Sequence, residues 1–337
     1  MTTALAAILI FGLLIATHEL GHFLVAKMVG IRVHEFSIGM GPVVLSWKRG
    51  ETIYSLRLLP IGGFNRMAGM ESGDLQDPRG FNTRSVLQRM AVIASGSLMN
   101  FLLAIILFIF VFMGIGVPSN TTTIGGLLPG RPAEEAGFQV GDRIVSINNT
   151  NVNTWGQLVE VIHKNPGQKL QVMVERDQQS LLIPVVPELD PQNKVGLIGI
   201  EQTWVKLGLF SSILLGVQQA LAVAALIITS LIKMITGQLP AEVAGPVGIV
   251  QMAGEAARLG LANVLNFAGL LSLNLGIINL FPIPALDGSR LLFLGIEGIR
   301  GRPVNPEKEN IIHLVGFALL IFLMLVITYQ DLLRLFS

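Results

Sequence analysis

Long apolar runs alternate with polar segments along this chain, and the runs are of membrane length. The first extends from Ala4 to about Val29. The second runs from about Met90 to Val117 and is almost wholly apolar from Phe101 onwards, and the last covers Ile311 to about Tyr329. As helices, all three are long enough to cross a hydrocarbon core of roughly 30 Å. Two further runs lie between them, at about Leu207–Thr236 and at Leu261–Leu286. From Pro118 to about Trp204 the texture changes. Charges, Asn and Gln return, and short runs rich in β-branched residues appear at Arg143–Ile147, Leu170–Val174 and Leu181–Val185. Asn148-Asn149 and Pro166-Gly167 are turn signals between them, and one helix fits at Thr154–His163. The pattern predicts a polytopic α-helical membrane protein with a small α+β domain inserted between its membrane segments.

Basic residues orient the segments. Residues 1–26 hold no Lys or Arg, whereas 27–89 hold nine, from Lys27 to Arg89. That loop is expected in the cytoplasm, with the N-terminus outside and the insert extracytoplasmic. The first run lacks the basic n-region of a cleavable signal, so it is expected to stay as a helix. The stretch Asp287–Asn310 carries Arg290, Arg300, Arg302 and Lys308 and also reads as cytoplasmic. Only one crossing then fits between the insert and Asp287. Leu207–Thr236 is interrupted by Gln218, Gln219, Thr229, Ser230 and Lys233, which suits an interfacial or partly buried helix, while Leu261–Leu286 is uncharged and the better span. Four crossings are expected. They divide the chain into a membrane part at 1–117, the insert at 118–204, an interfacial helix and connector at 205–260, and a second membrane part at 261–337.

Composition agrees. Hydrophobic residues make up 51% of the 337, and charged residues 13% against about 25% in soluble domains. A net charge of +1 gives no electrostatic footprint for nucleic acid. The absence of cysteine excludes disulfides, thiolate metal sites and thiol nucleophiles. Any metal must sit on carboxylates and on the five histidines, at 18, 22, 34, 163 and 313.

Two of those histidines, His18 and His22, are four residues apart in the first apolar run, with Glu19 beside the first. On a helix they share one face and can hold one zinc ion, and Glu19 can take a proton from an attacking water. Ionisable groups inside a spanning helix cost about 2.5–3.5 kcal/mol on insertion scales, so they point to function. A catalytic zinc site needs a third protein ligand. Asp287, at the end of the uncharged Leu261–Leu286 run, is the carboxylate candidate; its other reading is a cap for a helix starting near Ser289. His34, His163 and His313 read as surface positions. Ser272, Asn274 and Asn279 share an apolar run, where they either hold helices together or bond substrate. Pro282 and Pro284 break that run, and freed carbonyls at membrane depth are tolerated only against protein or a water-filled cavity.

His18-Glu19-Leu20-Gly21-His22 and the run Asn279–Gly288, NLFPIPALDG, resemble the two motifs of the site-2 protease family of intramembrane metalloproteases, and Gly96–Asn100 matches a smaller Gly-x-x-x-Asn feature. The resemblance covers nearly the whole chain. It implies Zn²⁺ on His18, His22 and Asp287 and Glu19 as general base; in the mechanism expected here Asn279, with Asn274, bonds the substrate backbone or the oxyanion. The implied substrate is a pre-trimmed single-pass protein of a bacterial inner membrane, such as an anti-sigma factor, or a remnant signal peptide. The stretch Gly126–Gly137, with Val140–Ile144 and Ile147-Asn148, is similar to a bacterial PDZ domain; Gly196–Ile200 is either its peptide-binding loop, which would hold a peptide end, or an ordinary turn. Val43–Trp47 and Thr52–Leu58 are expected as a β-hairpin; the resemblance implies a membrane-associated element that pairs with unwound substrate, and the other reading is an ordinary amphipathic hairpin lying on the bilayer. Two other classes, a non-catalytic membrane scaffold and a metal transporter, leave Glu19 or the lack of further intramembrane ligands unexplained.

Overall fold

The computed structural model describes residues 3–70, 76–191, 193–240 and 244–336. In chain order the elements are α1 (Thr3–Met28), β1 (Val33–Arg49), β2 (Thr52–Met67) and α2 (Val86–Gly114). The insert follows with β3 (Val117–Pro118), β4 (Ile124–Leu127), α3 (Pro132–Glu135), β5 (Arg143–Ile147), β6 (Thr150–Asn151), α4 (Trp155–His163), β7 (Leu170–Arg176), β8 (Gln179–Val185), β9 (Glu188–Leu189), β10 (Gly196–Leu197), β11 (Ile200–Gln202) and β12 (Trp204–Val205). The chain closes with α5 (Leu209–Ile235), α6 (Pro246–Arg258), α7 (Leu261–Leu280), α8 (Asp287–Arg300) and α9 (Pro306–Phe336). Two compact units result, one from residues 1–111 with 210–337 and the other from 112–209.

In the first unit α1, α2, α5, α7 and α9 are each long and apolar enough to cross a membrane. Their buried faces are narrow, as expected for helices whose other sides meet lipid. Ala7, Ile10 and Leu14 of α1 pack with Leu107 of α2, Ala253 of α6 and Ala268 of α7. Side-chain contacts fix the direction of each helix. Asp331 near the end of α9 accepts hydrogen bonds from Gly245 N (3.3 Å) and Gly248 N (2.9 Å), capping the start of α6. Gly254 of α6 lies against Thr3 at the start of α1. At the opposite end Arg89 of α2 binds Glu297 of α8 through two hydrogen bonds of 3.0 and 2.5 Å. Helices α1 and α7 therefore run one way, and α2 and α9 the other. Helix α5 touches α2 where Gly216 meets Ile109 and is otherwise mostly exposed. Sequence reading missed α6, whose Gly, Ala, Glu and Arg residues dilute its apolar signal.

Both strands of the predicted hairpin are longer than expected. The tip lies where Arg49 pairs with Thr52, and Val43 pairs with Arg57. Residues Glu35–Ile38 are flanked on both sides: they pair with Ile53–Leu56 on one and with Gly63–Arg66 on the other. The chain passes between these flanks at Gly62, whose φ of +79° is available to glycine with little strain. Along the hairpin arm Val44, Leu45, Trp47, Leu58 and Leu59 are exposed, an apolar surface suited to lipid.

The insert is α+β, with a four-stranded sheet in the order β6-β5-β7-β8 and β4 paired to β11. Leu170, Val172 and Val174 alternate into its core with Ile124, Ile144, Ile147, Leu158 and Ile183. Thr154 caps α4 by accepting from Gln157 N, one residue from the expected helix start. Buried Asp142 receives Arg176 Nε and Nη2 at 2.6 and 2.7 Å. Burial alone would raise its carboxyl, but Arg176 and the Gln139 N–H hold it below the usual range. Gly196–Leu197 of the expected peptide-binding loop pairs with Glu188–Leu189, and Ile200 continues into the strand beside β4.

Candidate active site

Helical periodicity puts His18 and His22 on one face of α1, and α2 covers that face. Their approach is possible because glycines leave the interface empty. A Cβ on Gly21 would lie 2.3 Å from Ser95 O, and one on Gly96 would lie 2.5 Å from His22 Nε2 and 2.7 Å from His18 Cε1. His22 Nδ1 donates to Val92 O at 2.8 Å, so in the neutral ring Nε2 keeps its lone pair.

The other side of the site comes from the break after α7. Phe281 is extended, and Pro282 and Pro284 cannot continue a helix, so α7 ends at Leu280 instead of running to Leu286. Three features then fix the turn. Ala285 takes φ +75°, a strained value for a residue with a side chain. His313 Nδ1 on α9 accepts the Ala285 N–H at 3.1 Å. Gly316 leaves room for Pro284, which a Cβ there would meet at 2.2 Å. Helix α8 restarts at Asp287, and Gly288 sits so close to Phe281 O that its Cβ would be 2.2 Å away.

These two halves meet. Asp287 Oδ2 lies 3.1 Å from His18 Nε2 and 3.2 Å from His22 Nε2, and the two Nε2 atoms are 3.2 Å apart. Zinc bonds of about 2.0–2.2 Å in a tetrahedron separate ligand atoms by roughly 3.3–3.6 Å, close to this triangle. Asp287 Oδ2 is buried and satisfied by no hydrogen-bond donor, which a cation in the triangle would remedy. The residues present fit zinc. Among the described residues no other group of three His or carboxylate side chains converges in this way. His34 lies in β1 and His163 on α4 of the insert, and neither belongs to the triangle, while His313 acts on the turn.

Glu19 lines a cavity of about 440 Å³ together with His18, His22, Asp287 and Asn279. Asn65 Nδ2 holds it, donating to Glu19 Oε2 at 2.7 Å and to Glu19 O at 2.8 Å, and Gly63 lies against its Cγ. The strand at the cavity is thus Gly63–Met67, beyond the predicted Thr52–Leu58. Nothing in the sequence marks Asn65, whose partner Glu19 lies 46 residues earlier. Asn274, more than a turn before Asn279 on α7, is not among the residues lining the cavity.

Comparison with known proteins identifies the family. The zinc metalloprotease RasP of Bacillus licheniformis is 37% identical over 419 aligned positions, covering all of both chains. The regulator of sigma-W protease RasP of Bacillus subtilis is 36% identical over all of this chain and 99% of its own. A putative zinc metalloprotease of Clostridium acetobutylicum is 39% identical over 96% of each. Among solved structures, a PDZ domain of an SdrC-like protein from Listeria monocytogenes covers 26% of this chain and 90% of its own, with 15% identity and a TM-score of 0.23. The profile of peptidase family M50 matches residues 6–323. A match of that extent, with full-length relatives named as zinc metalloproteases, makes this chain a member of peptidase family M50, an intramembrane metalloprotease that uses zinc.

Proposed function

We propose that the protein hydrolyses peptide bonds in the transmembrane segments of pre-trimmed single-pass proteins, with His18, His22 and Asp287 holding zinc and Glu19 as the catalytic base. One observation carries this reading: a carboxylate fixed by Asn65 shares a cavity with three converging metal-ligand atoms. Zinc in that triangle supplies a Lewis acid that polarises a carbonyl and makes water acidic. Glu19 takes a proton from the attacking water and passes it to the amide nitrogen as the C–N bond breaks, leaving a carboxylate and an amine. Asn279 donates to the substrate backbone in the cavity. Substrate must be unwound first, since a helix hides its carbonyls in internal hydrogen bonds. The outer edge of Gly63–Met67 takes up the released backbone groups as an added strand. The same strand carries Asn65, so substrate alignment and orientation of the base share one support.

Four crossings, by α1, α2, α7 and α9, suit the cytoplasmic membrane, with the insert outside. The Asp331 cap on α6 supports this count, because it sets the start of α6 at the end where α9 finishes, leaving α5 no net crossing. The insert, residues 112–209, is a PDZ domain that acts as a size filter for the trimmed end, with β11 beside the peptide site. Partners are therefore the bilayer, the transmembrane substrate and its free peptide end, with anti-sigma factors or remnant signal peptides as the substrate class. The protein in liposomes should cleave a single-pass substrate whose extracytoplasmic part has been trimmed, and leave the same substrate with its folded extracytoplasmic domain intact. Equal cleavage of both forms would overturn the filter, and cleavage of neither would overturn the substrate class.

A further inference from the structure

The two histidines differ in what stands behind them. His22 has a backbone carbonyl as acceptor for its Nδ1–H. Behind His18 stands a side chain of α2, Asn100, which has no exposure at all. Its Nδ2 is 3.3 Å from His18 Nδ1, and its Oδ1 is buried with no partner. An unpaired amide oxygen in a membrane interior is costly, and natural structures seldom leave one. The amide oxygen and nitrogen exchange places by a half-turn of the group, so the hydrogen-bond network must decide between the two orientations.

With Nδ2 against the ring, His18 Nδ1 has to accept. The ring proton then sits on Nε2 and points at His22 Nε2 and Asp287 Oδ2, where it blocks a metal. With Oδ1 against the ring, His18 Nδ1–H donates, the orphaned oxygen is satisfied, and the Nε2 lone pair faces the triangle. We propose that Asn100 is the positioning residue for His18, accepting its Nδ1–H through Oδ1 and so fixing the tautomer and ring orientation that bind zinc. The proposal rests on the reading of His18 as a zinc ligand.

Neighbours hold Asn100 in place. Its carbonyl oxygen accepts Ser272 Oγ at 2.8 Å, linking α2 to α7, the helix that leads to Asp287. Gly96, one turn earlier on α2, gives the imidazoles their space. The neutral amide also suits the depth. A carboxylate would provide the same acceptor but would add a second buried negative charge beside Asp287, with its own desolvation penalty.

The test is zinc affinity of the full-length protein in detergent, measured by competition with a chelator, together with the visible spectrum of its Co²⁺ form. Asn100→Leu keeps the size and removes the acceptor. It should weaken zinc binding by roughly 10–100-fold, the usual effect of losing an outer partner of a ligand, and should shift the cobalt bands, while the melting temperatures of the zinc-free wild type and variant stay together. Asn100→Asp keeps an acceptor and cannot donate when ionised, so it should bind zinc at least as tightly as wild type. Wild-type affinity in Asn100→Leu, or an equal loss in Asn100→Asp, would overturn the proposal. Asn100→Asp decides the question alone if Asn100→Leu does not fold. His18→Ala in the same assay separates the two readings: if it keeps wild-type affinity, the ligand assignment itself is wrong.

Discussion

Glu19→Gln should cut proteolysis by about 10²–10⁴-fold while leaving the zinc in place. Glutamine has nearly the shape of glutamate, and its side-chain oxygen can still accept from Asn65 Nδ2, which lies 2.7 Å from Glu19 Oε2. Gly63, whose absent Cβ leaves room for Glu19 Cγ, accommodates the same stem. None of the three atoms of the zinc triangle is altered. The variant lacks only a group able to take the proton of the attacking water, and general bases contribute about 10²–10⁴-fold. Cleavage of a trimmed substrate in liposomes should fall within that range, with metal content equal to wild type. Cleavage within a few-fold of wild type would remove Glu19 from its role.

Gly96→Ala should have a comparably large effect through one methyl group. The new carbon would start 2.5 Å from His22 Nε2 and 2.7 Å from His18 Cε1. Neither ring is a free end that can swing aside. His22 is tied to Val92 O, and α2 closes against α1 at Gly21 and Ser95. Relief needs a shift of about 1 Å in the rings or the helix, and a displacement of that size at reacting groups costs roughly 10²-fold. Zinc affinity and cleavage should therefore fall together, by about 100-fold, with the variant still inserted and helical by circular dichroism. Full activity in Gly96→Ala would mean that the two helices meet more loosely than described.

Much of this is legible in the sequence, for identifiable reasons. Apolar runs of membrane length announced α1, α2, α7 and α9, because a span must hide its backbone from lipid and so leaves an unbroken signal. His18, Glu19 and His22 stood out because ionisable groups are rare in such a run. Asp287 could be paired with them because basic residues place both halves on one side. The apolar run extends six residues past the end of α7, and Pro282 and Pro284 mark the break within it. Apolar residues continue through the turn at Ile283 and Leu286, which hides the helix end from a reading of hydropathy alone. What stayed hidden depends on contacts between distant segments. Asn65 and His313 act on Glu19 and Ala285 across long stretches of chain, and no local pattern distinguishes them from surface polar residues. The strand at the cavity was missed because Gly62-Gly63 resembles a strand terminator until the chain is seen to pass to the far side of β1.

The proposed zinc site draws on two distant segments, α1 and the start of α8, and metal stoichiometry is its sharpest test. Purified full-length protein and Asp287→Ala should be analysed for bound zinc after identical exposure to a mild chelator. One zinc per wild-type chain is expected, and little or none in Asp287→Ala, because removing the carboxylate leaves only the two histidines of α1. Zinc retained by Asp287→Ala at the wild-type level would contradict it and place the third ligand elsewhere.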